Sequence, residues 1–404
     1  MSTYNVFTIA EVIAAGIDPR SVQNAVGCCI ERLSQGVYVL RRRCSVARHC
    51  RLRAFITERV LVLPPLPAGG PSPGLPPGAA QGQPDPLSEL PWWQREKMEH
   101  IGRIAAYPFV ENDVLSHHSA AVVWGLPLFH SSLDRVEMSN PRFKRTGKSY
   151  RRRQRQVPNS LVLDGAGFDS RFGPRWPGAI TPGDLGIAMT DVERTVLDIT
   201  RDCTLSEAAM VLEAYLSGVL APITNDHGAP EADRRTPVLG LDGRMSTFPL
   251  SQSEREARRA RLLATATATD LGRRVPRLTR LLAISTGLSE SPAEALANLG
   301  FHTLGLGVEQ QAQICDSTGR IIAVADFLIR GTRCLLEVDG RKKYIDATGA
   351  ADMARLEREK QRTDRIYAEG YHLLRCGWHE VTNPDIFGPL IWRGLRAARG
   401  LGRA

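Results

Sequence analysis

The chain is 404 residues long, with a net charge of +9, a pI near 9.3 and 43% hydrophobic residues, which suits two or three globular domains and a polyanionic partner. No run is apolar enough to span a bilayer, and the start, MSTYNVFTIAEV, lacks the basic and apolar regions of a secretion signal, so a cytoplasmic protein without membrane attachment is expected. Eight scattered cysteines, two of them adjacent at Cys28 and Cys29, suit reduced thiols rather than a disulfide framework.

Residues 1–60 are expected to form a small helix-turn-helix with a wing. Thr8–Ala15 makes a short helix ended by Gly16. Asp18 caps a second helix with Pro19 at its first position, where a missing N–H does no harm. IERLSQGVYVL then makes a β-hairpin that turns near Gln35-Gly36. The second helix would read a DNA groove, with Arg20 as the cation of PRSVQNAVG, or the whole module would dock a protein. Arg41, Arg42 and Arg43 follow the wing, either gripping phosphate or forming a solvated run. Cys28, Cys29, Cys44, His49 and Cys50 lack the paired C-x-x-C spacing of a zinc site, which weighs against one. With its Gly-Val-Tyr-Val strand at 36–39, this segment resembles the N-terminal winged helix of AbiEi-type antitoxin-like regulators.

Residues 61–90 are dense in Pro and Gly, cannot build a core, and read as a linker. A second, α+β domain is expected over 91–221. VLSHHSAAVVWGLPL makes a packed helix ended by Gly125. Strand-like LDRVEMSN and SLVLDG flank a basic loop with Arg142, Lys144, Arg145, Lys148 and Arg151 to Arg153. Phe143 and Tyr150 interleave with that charge, for stacking on bases or as an exposed hairpin tip. Thr190 with Glu193 reads as a capping box opening DVERTVLDITR. His117 and His118 stand beside Ser116 and Ser119, but no acid is placed to complete a triad, and packing or capping is the plainer role. The order SHHSAA…WGLPL…TDVERTVLDI resembles the central region of the same antitoxin-like family. Residues 222–286 read as a polar connector with a charged bridging helix from near Ser253.

The last domain, 287–404, reads as helix Pro292–Leu299, strands at about 307–314, 320–329 and 333–338, helix Ala351–Glu369 and strand Tyr371–Cys376. Ser291 caps its first helix and Gly300 ends it. In IIAVADFLIRGTRCLLEVDGRKKY, alternation puts Glu337 and Asp339 on one face of their strand, and Asp326 follows an apolar run on the partner strand. Three carboxylates converging at the end of a buried hairpin are costly unless a cation compensates them, and a divalent, oxygen-preferring ion does so. Taken singly, Asp339 also suits an Asp-Gly turn, Asp326 a strand end, and Glu337 a pairing with Arg341, Lys342 or Lys343. Arg355, Arg358, Arg362 and Arg365 recur at helical spacing as a basic stripe, either solvated or set against phosphate.

The order Asp…Leu-Glu-Val-Asp-Gly, then basic residues and Tyr344, resembles the very-short-patch-repair-like branch of the PD-(D/E)XK nucleases. The likeness runs from SESPAEALANLGF and GVEQQAQI through LEREKQRTDRIYAEG to YHLLRCGWHEV, about the last quarter of the chain. It implies an αβββαβ restriction-endonuclease-like domain that hydrolyses phosphodiester bonds in DNA with Mg²⁺ or Mn²⁺. Asp326 and Glu337 would hold the ion, helped by the carbonyl of Val338 and by Glu294. Asp339 stands where the superfamily usually has Lys, which leaves the cationic role to Lys343 or Lys360. The expected protein is thus an α/β multidomain DNA-binding chain with an endonuclease-like domain. The rival class is a non-enzymatic regulator that binds operator DNA or a toxin partner and keeps the nuclease fold as a scaffold.

Overall fold

The computed structural model describes residues 6–40, 46–59, 96–97, 100–101, 103–104, 107, 109–129, 133–163, 187–218, 237–239, 245–269, 275–338 and 353–401. The protein is mixed α/β, and no helix among the described residues is long and apolar enough to cross a membrane. It divides into two compact units, Met1–Ile199 with Leu220–Gly228 and Thr200–Val219 with Ala229–Ala404.

The first unit opens with β1 (Val6–Thr8), α1 (Ile9–Ala14), α2 (Pro19–Ala25), β2 (Ile30–Ser34), β3 (Val37–Leu40) and α3 (Cys50–Arg59). The strands form an antiparallel sheet in the order β1-β3-β2, so the expected hairpin gains a third strand from residues that precede α1. Helix α2 starts as the sequence reads it, whereas Thr8, expected as the first residue of α1, caps it instead. Asp18 accepts from the Arg20 N–H, and Thr8 and Glu11 form a reciprocal capping box. Among the described residues the core of this module is Phe7, Val12, Val22, Ala25, Cys29, Ile30, Tyr38, Leu52 and Phe55. In so small a module one cap matters. Thr8→Ala is expected to cost about 1 kcal/mol, read as faster amide hydrogen exchange across α1.

The rest of this unit is a six-stranded mixed sheet in the order β6-β7-β5-β4-β9-β8. Its elements are β4 (Val114–Leu115), α4 (His117–Trp124), β5 (Val136–Asn140), β6 (Arg145–Thr146), β7 (Tyr150–Gln154), β8 (Val162–Leu163), β9 (Met189–Thr190) and α5 (Val192–Asp202). Two local expectations change. The basic stretch is not simply a loop: Arg151 to Arg153 lie in β7. There Arg152 is buried on Asp113 through two bonds of 2.7 Å, with Phe143 against its guanidinium. And α5 is opened by Asp191, which accepts from the Arg194 N–H, while Thr190 sits in β9 and its hydroxyl meets Thr195.

The second unit gathers α6 (Leu205–Ser217), a hairpin of β10 (Pro237–Leu239) and β11 (Met245–Thr247), α7 (Gln252–Ala268) and α8 (Val275–Ile284). They accompany the last domain's α9 (Pro292–Thr303), β12 (Val308–Cys315), β13 (Ile321–Ile329), β14 (Cys334–Val338), α10 (Met353–Ala368), β15 (His372–Cys376), α11 (Trp378–Val381) and α12 (Pro384–Leu401). Helix α6, which the sequence reading leaves in the 91–221 segment, packs on α9. Its buried Glu213 accepts from the Thr286 and Gly287 N–H groups at 2.8 Å each, tying it to the turn before α9. Burial raises the Glu213 pKa, and those donors act against the rise.

The sheet runs β12-β13-β14-β15, antiparallel except for the parallel β14–β15 pair. On one face Phe301 of α9 packs on Phe327 and on Phe387 of α12. On the other, Ile366 of α10 joins the cluster that contains Leu335 and Leu373. Helix α9 does not stop at Gly300. It continues to Thr303, and Gly305, at φ +70°, follows its end. Gly300 serves close packing instead, because a Cβ there would stand 2.6 Å from Cε1 of Phe387. Gly300→Ala is therefore expected to destabilise this unit by roughly 1 to 2 kcal/mol despite the better helix propensity of Ala, measurable by urea unfolding.

Candidate acidic site in the C-terminal unit

The last ladder pairs between β13 and β14 are Leu328 with Leu335 and Phe327 with Leu336. One residue further along each strand stand Asp326 and Glu337, which therefore share one face of the sheet. The regular ladder ends here because a side chain enters it. Asp326 Oδ2 accepts from the Val338 N–H at 2.7 Å, so the backbone donor is satisfied by a carboxylate rather than by a strand carbonyl.

Glu294 joins this point from the first turn of α9. It is only 7% exposed and accepts from the Glu290 N–H at 2.9 Å and from the Ser291 hydroxyl at 2.7 Å. Ser291 in turn accepts from the Glu294 N–H at 3.2 Å, the cap the sequence predicts. Burial, and then repulsion from Asp326, raise the Glu294 pKa to about 8. Two acids thus crowd one another where the strands part.

Glu337 turns to cations. It is 7% exposed and bonds Arg362 of α10, with Arg375 of β15 at 3.4 Å on its other oxygen. Glu359 bridges the same two arginines, at 3.2 Å from Arg362 and in contact with Arg375. Arg362 also donates to the Val324 carbonyl at 2.9 Å. Burial works against the Arg362 charge, and the Glu337 and Glu359 carboxylates outweigh it and raise its pKa. Among the described residues, Glu294, Asp326 and Glu337 do not form a set of three donors all within 4.8 Å of one another. The acids are neighbours, and one of them is held by arginine.

The other expected residues are placed unevenly. Arg358 and Lys360 are exposed on α10, and Arg355 belongs to the same helix. Arg362 faces the sheet, so the arginine stripe does not lie wholly in solvent. Arg20 is exposed at the start of α2. Asp339, Lys343, Arg41, Arg42 and Arg43 lie outside the described residues. The Arg362–Glu337–Arg375–Glu359 lattice is barely marked in the sequence. Its one visible signal is Arg375 in the apolar strand HLLRC, level with Glu337 in the parallel register.

In the first unit the histidines find the acid that the sequence reading lacked. His118 Nδ1 bonds Glu137 at 2.6 Å, and Glu137 also receives Arg153 at 3.0 Å and Arg151 at 3.3 Å. Burial opposes the Glu137 charge, but His118 and its other cationic neighbours hold its pKa far below the usual carboxylate range. His117 Nδ1 meets Ser116 at 2.9 Å. Ser116, His117 and Glu137 are all at most 2% exposed, so this polar network fastens α4 to β5 and β7 without access for a substrate.

A cleft of about 590 Å³ in the second unit is lined by residues of α8 and α9 with Thr204 and Leu205, and by none of Glu294, Asp326 or Glu337. Metal-type donors do gather elsewhere: Cys28, Cys29 and His49 place one ligand atom each within 4.8 Å of the others. Compared with known proteins, the chain matches no family model, no curated protein and no solved structure.

Proposed function

We propose that the C-terminal unit is a metal-dependent endonuclease domain of the PD-(D/E)XK type, carried by a chain that binds DNA. One observation supports this more than any other. Asp326 and the buried Glu294 crowd one another at the point where β13 and β14 part, within an α9-β12-β13-β14-α10-β15 order that agrees with the αβββαβ expectation. A carboxyl whose pKa is raised by burial, and further by a neighbouring carboxylate, is a place where a divalent cation would offset the crowded negative charge.

Asp326 and Glu337 would hold Mg²⁺ or Mn²⁺, with Glu294 and the Val338 carbonyl beside them. Bound there, the ion lowers the pKa of a coordinated water and offsets charge on the leaving oxygen. Within the chain, Asp326 is fixed by the Val338 N–H and Glu294 by Ser291 and the Glu290 N–H, so neither carboxylate needs to reorganise. Arg362 and Arg375 are the nearest described cations to Glu337 and would hold a phosphate oxygen once Glu337 faces an ion. Arg358 and Lys360, exposed on α10, would take the phosphodiester backbone, and so would Arg355; Lys343 and Asp339 complete the set that the family resemblance implies.

The first unit would position the chain on DNA. Its β1-α1-α2-β2-β3 order is compatible with a winged helix-turn-helix, with α2 as the groove-facing helix and Arg20 and Arg41 to Arg43 on phosphate. The test is cleavage of supercoiled and linear DNA by the pure full-length chain. Nicking or cutting that requires Mg²⁺ or Mn²⁺ and stops in excess chelator supports the assignment. Cleavage that persists in chelator, or none with either ion, overturns it.

A second reading has its own observation. Glu337 already has two arginine partners, as a scaffold without an ion would require. On that reading the chain is a regulator that binds operator DNA or a toxin. A Mn²⁺-dependent rise in melting temperature separates the two, since an ion bound only by the folded state stabilises it by mass action.

A further inference from the structure

We infer that the N-terminal module holds a Zn²⁺-class ion on Cys28, Cys29 and His49. The sequence argued against zinc because the C-x-x-C spacing is absent. The fold supplies the donors another way, from two adjacent cysteines and a histidine twenty positions on.

Each donor is delivered by a local feature of the chain. After α2 the backbone turns at Gly27, whose φ is +80°, and the N–H groups of Cys28 and Cys29 both reach back to the Ala25 carbonyl at 3.1 and 3.2 Å. This tight wrap brings two consecutive side chains to one place. His49 ends a single 3-10 turn, Ala47–His49, just before α3, and its N–H donates to the Val46 carbonyl at 3.0 Å. The two sulfurs and one imidazole nitrogen then lie within 4.8 Å of one another, with Cys29 Sγ 3.8 Å from His49 Nδ1.

The histidine is oriented for ligation. Its Nε2 is 3.2 Å from the Asn24 carbonyl, which can only accept, so Nε2 carries the hydrogen and Nδ1 presents its lone pair to the sulfurs. A ring fixed by a backbone carbonyl on its far nitrogen is the usual support of a metal-binding histidine. Cys29 and His49 are at most 1% exposed, while Cys28 is half-buried, so the cluster is walled on the core side and open on one flank. Two thiolates and an imidazole suit a borderline-soft ion such as Zn²⁺ and not Mg²⁺ or Ca²⁺. The three donors among the described residues leave a fourth tetrahedral position on the open flank.

The site would have a structural use. Among the described residues nine buried side chains make the core of this module, and domains of about this length commonly need a metal or a cross-link. An ion here would pin the end of α2 to the start of α3, fixing the helix proposed to face DNA.

The test uses the full-length chain, stripped of metal and titrated with Zn²⁺ or Co²⁺ under reducing conditions. One equivalent should bind, Co²⁺ should give a thiolate-to-metal charge-transfer band, and X-ray absorption should find two sulfurs at about 2.3 Å. Cys28→Ser, Cys29→Ser and His49→Ala should each weaken binding at least about tenfold, whereas Cys50→Ser, at an exposed neighbouring thiol, should leave it unchanged. Should a variant misfold, the wild-type chain still decides the matter, since bound Zn²⁺ should slow alkylation of Cys28. Sub-stoichiometric binding, a wild-type cobalt spectrum in Cys29→Ser, or equal alkylation with and without Zn²⁺ would overturn the site. None of these readouts depends on DNA cleavage, so the site stands or falls apart from the nuclease assignment.

Discussion

Asp326→Ala is expected to abolish Mg²⁺- or Mn²⁺-dependent DNA cleavage, with a fall of at least about a hundredfold, the cost of losing several kcal/mol of metal-assisted transition-state stabilisation. The size follows from its position. Asp326 takes the Val338 N–H where the ladder breaks and acts on Glu294 of α9, so its removal takes the centre out of an ion site there. The change also leaves the Val338 N–H without its acceptor, a stability cost of about 1–3 kcal/mol. For that reason Asp326→Asn belongs beside it: the amide oxygen still accepts from Val338 while the charge is gone. If Asp326→Asn keeps wild-type stability and loses cleavage, the carboxylate acts on the ion. If it cleaves DNA at the wild-type rate, the nuclease assignment fails.

Glu294→Gln should change how stability depends on pH. In the wild-type fold the Glu294 pKa is raised to about 8 from an ordinary 4.5, so over that interval the folded unit keeps a proton that the unfolded chain releases. This contribution to stability is complete below about pH 4.5 and is lost as pH rises through about 8. A glutamine has no proton to keep. Apart from a constant offset of about 1 kcal/mol for the acceptor lost opposite the Glu290 N–H, the variant should gain on the wild type with increasing pH. Above pH 8 it should lead by a few kcal/mol, because burial and Asp326 no longer act against a charge. Urea unfolding followed from pH 4 to 9 measures this directly. Curves that stay parallel would mean that Glu294 is already ionised at neutral pH and that the two acids do not interact.

The sequence made much of the C-terminal fold legible, for reasons that lie in particular residues. Ser291-Pro292 announces α9, the alternation in IIAVADFLI and CLLEV announces β13 and β14, and Gly370 marks the end of α10. These signals are local, since caps, turns and face alternation act over a few residues. Gly300 misled because a glycine at a helix end and a glycine under an aromatic ring look the same in sequence. Only Phe387, nearly ninety residues away, tells them apart. Thr190 misled similarly, since Asp191 is an equally good cap and the strand pairing of β9 takes Thr190 away.

Charge placement was the least legible property. The sequence alone determined that acids sit at strand ends where a plain core would not want them, and that the chain is basic and built in parts. Only the tertiary structure decided which cation each acid meets. Arg362 and Arg375 reach Glu337 from a helix and a strand that follow it by 25 and 38 positions, while Asp326 stands close enough to Glu294 to help raise its pKa. The same holds for Cys28, Cys29 and His49, which no spacing rule connects and a single turn after α2 brings together. Local backbone preferences are written in neighbouring residues, but electrostatic partners are chosen by packing across the fold, and a linear chain carries no direct record of that choice.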